Sequence, residues 1–171
     1  FKSKNWPAIH TGTGISTGEM NVGDMGSKHR SSYTVLGDTV NLGSRLEGLT
    51  KYYGVAIIVS EETYQACENI LFRYLDRVTV VGKDISVSIY EPLCLKSEST
   101  SIHTNLLAQH KEAYDAYYRQ EWVLARMRFM ELKSQVVMST GIYDVFIRNI
   151  DELEHAGLPG DWDGVTKHAR K

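Results

Sequence analysis

The segment YTVLGDTVNLGSRLEG, Tyr33–Gly48, carries the clearest fold prediction in this chain. Its first residues are rich in β-branched and aromatic types, which predicts a strand that ends at Gly37. After this glycine, apolar residues recur at helical spacing, which predicts an amphipathic helix with one buried face. The residues of that face are Leu42, Leu46, Leu49 and Tyr53. A strand that leads directly into a helix is therefore expected.

The ends and the polar side of this helix carry further predictions. Asp38 is expected to cap the first turn, and Gly54 is expected to end the helix. Asn41 and Arg45 lie four residues apart, so their side chains share one side of the helix. Arginine offers a planar, permanently charged set of donors, and asparagine offers both a donor and an acceptor, which suits a phosphate or a sugar. From periodicity alone, a solvated helix face is the simpler interpretation.

Strand patterns flank this helix on both sides. AIHTGTGISTGEMNVGDMGS, residues 8–27, predicts two short strands joined near Gly18 and Glu19. VAIIVS, residues 55–60, predicts a buried strand, and Ser60 is expected to cap a short helix that runs to about residue 69. RVTVVGKDISVSIYEP, residues 77–92, predicts a hairpin around residues 82–84. Together these elements predict an α+β fold.

The composition of the chain changes after Pro92. LKSESTSIHT is polar and predicts a linker over residues 95–104, and the remainder, residues 105–171, is expected to be a helical tail. The spacing of Ala125 and Phe129 is similar to that of a tetratricopeptide-like helix pair, but such arrays usually need about three repeats. We therefore expect these helices to pack on residues 1–94 or on a second copy of the chain.

Bulk properties restrict the function. The chain has 171 residues, a net charge of −2 and 42% hydrophobic residues, which predicts a globular protein without a nucleic-acid surface. Cys67 and Cys94 lack metal-ligand spacing and indicate a reducing compartment, so a cytoplasmic location is expected. No apolar run approaches the roughly 20 residues of a membrane span. The opening FKSKNWPAIH lacks a methionine, so we expect a longer parent chain.

Two segments carry a family resemblance. GISTGEMNVGDMGSKHRSSYTVLGDTVNLGSRLEGLTKYYGVAIIVSEETY and FRYLDRVTVVGKDISVSIYEP, within about Ile9 to Leu93, resemble the C-terminal part of class III nucleotidyl cyclase catalytic domains. The resemblance implies a ferredoxin-like α+β cyclase fold, present here as its C-terminal portion over residues 1–94, with the tail as a helical C-terminal extension. It also implies conversion of ATP or GTP to the 3′,5′-cyclic nucleotide and pyrophosphate, with two Mg²⁺ or Mn²⁺ ions, at sites between the subunits of a homodimer.

The resemblance also assigns roles to single residues. It implies that Asn41 orients the ribose of the nucleotide and that Arg45 stabilises charge on the α-phosphate. Thr34 matches the base-recognition position, where a hydroxyl is compatible with adenine; strand packing is the alternative explanation. Val81 stands where the family commonly has a phosphate-binding lysine. Lys83 either takes over that contact or is a solvated turn residue.

The metal-binding aspartates of the family are expected on strands that precede this region. Asp24 lies in a glycine-rich hairpin, and the pair Asp161 and Asp163 lies in the tail, so neither is predicted to replace them. The preferred function is an adenylate cyclase segment that is inactive alone. Guanylate cyclase, or a non-catalytic regulatory or dimerisation module with a partial nucleotide site, are the alternatives. The closing WDGV is similar to tails of bacterial cyclases with extracellular sensor regions, which suggests a membrane-anchored parent protein.

Overall fold

The computed structural model describes residues 10–27, 30–79, 86–135, 139–158 and 162–168. These residues form strands and helices in mixed order, which confirms the α+β prediction. The strands are β1 (Thr13–Ile15), β2 (Asn21–Ser27), β3 (Arg30–Leu36), β4 (Ile57–Ser60), β5 (Ile70–Thr79), β6 (Ser86–Leu95) and β7 (Thr166–Lys167). The helices are α1 (Asp38–Tyr53), α2 (Glu61–Ala66), α3 (Ser101–Tyr118), α4 (Trp122–Ser134) and α5 (Gly141–Ala156), with a 3₁₀ turn over Lys96–Glu98.

Five of these strands form one sheet in the order β1-β4-β6-β5-β7. Strands β1 and β4 are parallel, as are β5 and β7, whereas β6 runs antiparallel to both β4 and β5. The predicted pairing of residues 77–92 as a hairpin is confirmed by β5 and β6, although its turn, residues 80–85, lies outside the described residues. Strands β2 and β3 form a separate antiparallel pair.

Helix α1 packs on this sheet through the predicted apolar stripe. Its buried residues include Leu42, Leu46, Leu49 and Tyr53. Gly54 ends the helix in the left-handed conformation, with a φ of 65°, as predicted. Periodicity therefore placed this helix correctly and oriented it correctly.

Two predictions about helix ends need correction or adjustment. Asp38 is the first residue of α1, Gly37 takes the N-cap position, and no side-chain cap hydrogen bond is formed there, so the prediction that Asp38 is the cap is wrong. An aspartate in the first turn is still favourable because the helix dipole is positive at that end. The hydroxyl of Ser60 does cap α2, where it accepts a hydrogen bond from the Thr63 N–H, but α2 ends at Ala66, before the predicted residue 69.

The helices of the tail pack against the sheet and share its core. Buried residues of α3, α4 and α5 belong to the same apolar cluster as those of α1 and the sheet. Helix α3 begins at Ser101, inside the range predicted as a linker, and β7 is a strand within a tail that was predicted to be helical. Among the described residues, no helix is both long and apolar enough to cross a membrane.

Candidate nucleotide site

The two residues predicted to act on the nucleotide lie on the polar side of α1, in its first two turns. Asn41 is exposed and Arg45 is half-buried. Their Cα atoms are four residues apart, about 6 Å along the helix axis. Within the described part of the chain, neither side chain has a hydrogen-bond or ion-pair partner. A half-buried guanidinium without a carboxylate partner is available to an anionic ligand.

Thr34 lies on β3, which leads into α1 through Gly37. It pairs with Gly23 of β2 and is half-buried. Thr34, Asn41 and Arg45 therefore lie on two consecutive elements, β3 and α1. Lys83, the remaining predicted nucleotide contact, and Val81 beside it lie outside the described residues.

The position of α1, and so of Asn41 and Arg45, is set by very close packing on β1. A Cβ atom placed on Gly14 would lie 2.1 Å from the Gly43 carbonyl oxygen and 2.3 Å from the Glu47 backbone nitrogen. Both of those atoms belong to the backbone of α1, so they cannot move without moving the helix. Gly14 therefore fixes the distance between the helix and the strand.

Replacement of Gly14 by alanine is expected to lower the free energy of unfolding by about 1–3 kcal/mol, because overpacking forces the helix away from the strand. Gly43→Ala is the matched control on the helix side of the same contact. A Cβ on Gly43 would have its nearest neighbours at 3.8 Å, and alanine has the higher helix propensity, so stability is expected to stay constant or rise. Urea unfolding of both variants measures this, and equal effects would contradict the assigned role of Gly14.

The described residues were searched for ligands of the metal ions that the resemblance implies. In residues 10–27, 30–79, 86–135, 139–158 and 162–168 there is no group of three or more His, Cys, Asp or Glu side chains that could hold a metal ion. Asp24 and Asp163 are exposed, and Asp161 lies outside the described residues. The described residues thus offer no ligand set for the expected metal ions.

A polar network on the inner side of the sheet was missed by the sequence predictions. The Tyr53 hydroxyl donates to Oδ2 of Asp76 at 2.8 Å and lies 3.1 Å from Nε2 of His168. The Arg77 N–H donates to the other carboxylate oxygen of Asp76 at 2.7 Å. Burial raises the pKa of Asp76 to about 6, although the hydrogen bonds from Thr166 and Tyr53 oppose this shift. The network links β5 to α1 and to the segment after α5.

A second buried group, also missed, joins β5 and β6 to the start of α5. Arg73 is fully buried, and its Nε donates to Oε2 of Glu91 at 2.9 Å. Its terminal nitrogens donate to the carbonyl oxygen and the hydroxyl of Ser139 and to the Tyr143 hydroxyl. Charged residues inside the apolar run ILFRYLDRV were the available sequence signal, because such residues are rarely buried without partners.

Comparison with known proteins agrees with this fold. The profile of the adenylate and guanylate cyclase catalytic domain matches residues 3–91, just over half of the chain. The chain belongs to this family, and the expected cyclase fold with a helical extension is confirmed.

Two similar proteins are adenylate cyclases. The chain is 44% identical over 89 residues to an adenylate cyclase of Anabaena cylindrica, which covers 50% of the chain and 18% of the relative. It is 33% identical over 156 residues to the terminal-differentiation specific adenylate cyclase of Dictyostelium discoideum, covering 86% of the chain and 7% of the relative, so this similarity extends into the tail. The chain thus spans less than a fifth of the length of either relative.

A similarity to a solved structure is also found. The adenylyl cyclase CyaB from P. aeruginosa is 34% identical, with a TM-score of 0.43, over 51% of this chain and 44% of that one.

Proposed function

We propose that this chain is part of an adenylate cyclase, which converts ATP to 3′,5′-cyclic AMP and pyrophosphate. The observation that carries the proposal is Arg45, a half-buried guanidinium that lacks a partner within the described residues and follows Asn41 by one helical turn. Both residues lie in the segment matched by the cyclase family. The adenylate cyclase names of the relatives favour ATP as the substrate.

Each residue has a role that its chemistry supports. Ring closure at the α-phosphate builds negative charge on the phosphate oxygens, and a fixed guanidinium stabilises that charge without reorganisation. Asn41, an adaptable donor and acceptor, orients the ribose so that its 3′-hydroxyl faces the phosphorus. The Thr34 hydroxyl accepts a hydrogen bond from the adenine amino group. Lys83 contacts the phosphates in place of the lysine absent at Val81.

The exposed hairpin formed by β2 and β3 supports a homodimer. Apolar side chains on it are open to solvent: Tyr33 is 75% exposed, and Val22 and Leu36 are each 54% exposed. A two-stranded hairpin is marginally stable by itself, and exposed apolar surface of this kind marks an interaction site. We propose that a second copy covers this hairpin and completes the site that contains Thr34.

The remaining parts of the site are proposed to come from outside the described residues. Two Mg²⁺ or Mn²⁺ ions belong to the proposed reaction, with ligands on another segment or another chain. The 171 residues alone are therefore expected to be inactive. We propose a cytoplasmic location for this segment and a membrane-anchored sensor region in the parent protein.

A non-catalytic module is the second candidate function, favoured by the lack of a metal-binding group among the described residues. In this case the partial site would bind nucleotide, or the domain would only dimerise. Guanylate cyclase is the third, because the family includes both activities. Assay of the full-length gene product with ATP and with GTP, each with Mg²⁺ or Mn²⁺, separates the three. Cyclic AMP as the main product supports the proposal, and the absence of any cyclic product rejects it.

Replacement of Arg45 by alanine in the full-length protein is expected to lower the rate of cyclic AMP formation by about 10²–10³-fold, as is typical when one donor to a developing oxyanion is removed. Arg128→Ala is the control: this arginine of α4 is also half-buried but pairs with Glu131 and Glu112, and the variant is expected to keep the wild-type rate. The thermal midpoint of each variant shows whether folding is retained. A folded Arg45→Ala enzyme with the wild-type rate would refute the role of Arg45.

A further inference from the structure

We propose that residues 162–168, here called the C-terminal strap, are a positioning part of the nucleotide site, because they hold β5 and α1 together through hydrogen bonds that link Asp76, Tyr53 and His168. The inference rests on the proposed function, since α1 carries Asn41 and Arg45 and β5 precedes Lys83 in the sequence. It extends that function by assigning a role to a segment beyond the family match, which ends at residue 91.

The strap first adds a strand to the edge of the sheet. Thr166 and Lys167 form β7, which pairs in parallel with Val78 and Thr79 of β5. The His168 N–H then donates to the Thr79 carbonyl oxygen at 3.2 Å. Thr79 is the last residue of β5 and lies four residues before Lys83 in the sequence. The strap therefore pairs the outer edge of β5 up to Thr79, the last residue of that strand.

Side chains of the strap then connect this edge to α1. Tyr53 is the last residue of α1, and its single hydroxyl hydrogen is donated to the Asp76 carboxylate. The hydroxyl oxygen therefore accepts from His168, whose Nε2 carries the proton. Burial lowers the pKa of His168, which favours this neutral ring. The Thr166 side chain hydrogen bonds to Asp76 directly, so the strap reaches this buried carboxylate both through Thr166 and, by way of the Tyr53 hydroxyl, through His168.

The first residues of the strap seat it on the helices. The Trp162 ring lies 5.7 Å from that of Tyr117 and 5.6 Å from that of Trp122.

The Asp163 carboxylate accepts the Val165 N–H at 3.1 Å, which closes the turn. Gly164 has a φ of 77°, and a Cβ there would lie 2.4 Å from the Tyr118 ring. The sequence Trp-Asp-Gly is therefore explained by packing, by turn closure and by a position that accepts only glycine.

This attachment matters for the site because a helix moves as a rigid body. Arg45 lies eight residues before Tyr53 and Asn41 lies twelve before it, or about 12 and 18 Å along the axis. A small rotation at the end of α1 is therefore enlarged at its first turns. A misplacement of about 1 Å can cost on the order of 10²-fold in rate. Loss of the hydrogen bonds is thus expected to act mainly on kcat.

His168→Ala tests the proposal in the full-length protein. We expect faster amide hydrogen exchange at Thr79, whose backbone groups face the strap, and a kcat for cyclic AMP formation at least tenfold lower with a smaller change in KM. His168→Gln is the matched control, because the carboxamide nitrogen of glutamine can still donate to the Tyr53 hydroxyl. This variant is expected to regain most of the kcat. Gly164→Ala unseats the strap without removing any hydrogen-bonding side chain, and we expect it to behave as His168→Ala does.

The possible outcomes separate this proposal from the proposed function. An active wild-type enzyme whose kcat is unchanged by His168→Ala and Gly164→Ala overturns the positioning role of the strap and leaves the cyclase assignment intact. Equal losses in His168→Ala and His168→Gln also overturn it, because the donated hydrogen bond would then be irrelevant. A wild-type protein that forms no cyclic nucleotide overturns the proposed function itself, and the positioning role falls with it. If His168→Ala fails to fold, the comparison of Gly164→Ala with the wild type decides.

Discussion

Replacement of Arg73 by methionine is expected to lower the free energy of unfolding by about 3–5 kcal/mol, because the partner carboxylate remains buried without its cation. The guanidinium is fully buried and touches Glu91, Ser139 and Tyr143 at the junction of the sheet and α5. Burial already raises the pKa of Glu91, although the Arg73 charge opposes that shift. Removal of the cation would raise the pKa of Glu91 further and leave the Ser139 carbonyl oxygen with fewer donors.

The double variant Arg73→Met/Glu91→Leu is the control for the loss of packing. It removes both charges, so the cost of an unpaired buried carboxylate disappears, and replacement of a whole buried pair by apolar residues is often neutral. We expect the double variant to be more stable than Arg73→Met alone. Urea unfolding of the wild type and of both variants at pH 7 measures the difference. A double variant that loses as much stability as the single one would show that the charge of Glu91 is not the cause.

This prediction also bears on the relation between the two halves of the chain. Arg73 lies on β5, within the family match, whereas Ser139 and Tyr143 belong to the tail. Tyr114 of α3 adds a hydrogen bond to the Leu75 carbonyl oxygen. If residues 105–171 formed a separate unit that merely follows the sheet in the sequence, they would not share buried polar contacts with it. The division into residues 1–94, a linker at 95–104 and a tail at 105–171 remains a prediction about sequence, and the structure shows extensive packing across it.

The sequence predicted the fold best where a periodic pattern reports burial directly. The stripe that begins at Leu42 placed α1, and the alternation around residues 78–89 placed β5 and β6. The role of Asp38 was predicted wrongly because residue type favours a cap, whereas the position of the helix start depends on how the chain leaves β3. Strand β7 has two residues, Thr166 and Lys167, which is too short for any alternation to appear. Its pairing depends on a sheet edge almost ninety residues away in sequence.

The candidate site was predicted in a different way. Asn41, Arg45, Thr34 and Lys83 came from resemblance, since spacing alone also allowed a solvated helix face. Their roles remain predictions that the activity assays test. Contacts such as Tyr53 with Asp76 and His168 could not be predicted, because no local pattern connects residues 23 and 115 positions apart. Tertiary packing alone brings them together.

Acidification is expected to destabilise the protein through His110, the second large effect. This side chain is 3% exposed, and its Nε2 donates to the Tyr74 carbonyl oxygen at 2.7 Å. Within the described residues, its buried Nδ1 has no hydrogen-bond partner. Burial, and to a smaller extent the Arg73 charge, lowers the pKa of His110 to about 3, although the hydrogen bond to Tyr74 opposes the shift. The ring is therefore neutral in the folded protein.

The direction of the effect follows from proton uptake. An unfolded histidine has a pKa of about 6.5, so between pH 6.5 and about 3 the unfolded state binds a proton that the folded state does not. The contribution of His110 is thus fully present above pH 6.5 and is lost as the pH falls. The total loss is about 4–5 kcal/mol, of which about 2 kcal/mol falls between pH 6.5 and 5. The pKa of Asp76 is raised to about 6, so its effect on stability is opposite to that of His110. Asp76 destabilises the fold as the pH rises from about 4 to 6, because the folded state then has to release a proton that it binds more tightly than the unfolded state.

Because these two groups oppose each other, the test compares variants at each pH. Glutamine at position 110 stays neutral, and its carboxamide nitrogen can donate to the Tyr74 carbonyl oxygen, so His110→Gln removes the titration and keeps the hydrogen bond. Urea unfolding from pH 7.5 to 5 is expected to show the wild type losing about 2 kcal/mol relative to His110→Gln. The same comparison with Asp76→Asn is expected to show the opposite slope, with the wild type gaining relative to the variant as the pH falls. If the difference in the free energy of unfolding between wild type and His110→Gln were constant across this range, His110 would be protonated equally in the folded and unfolded states. The buried ring would then not be the cause of destabilisation at low pH.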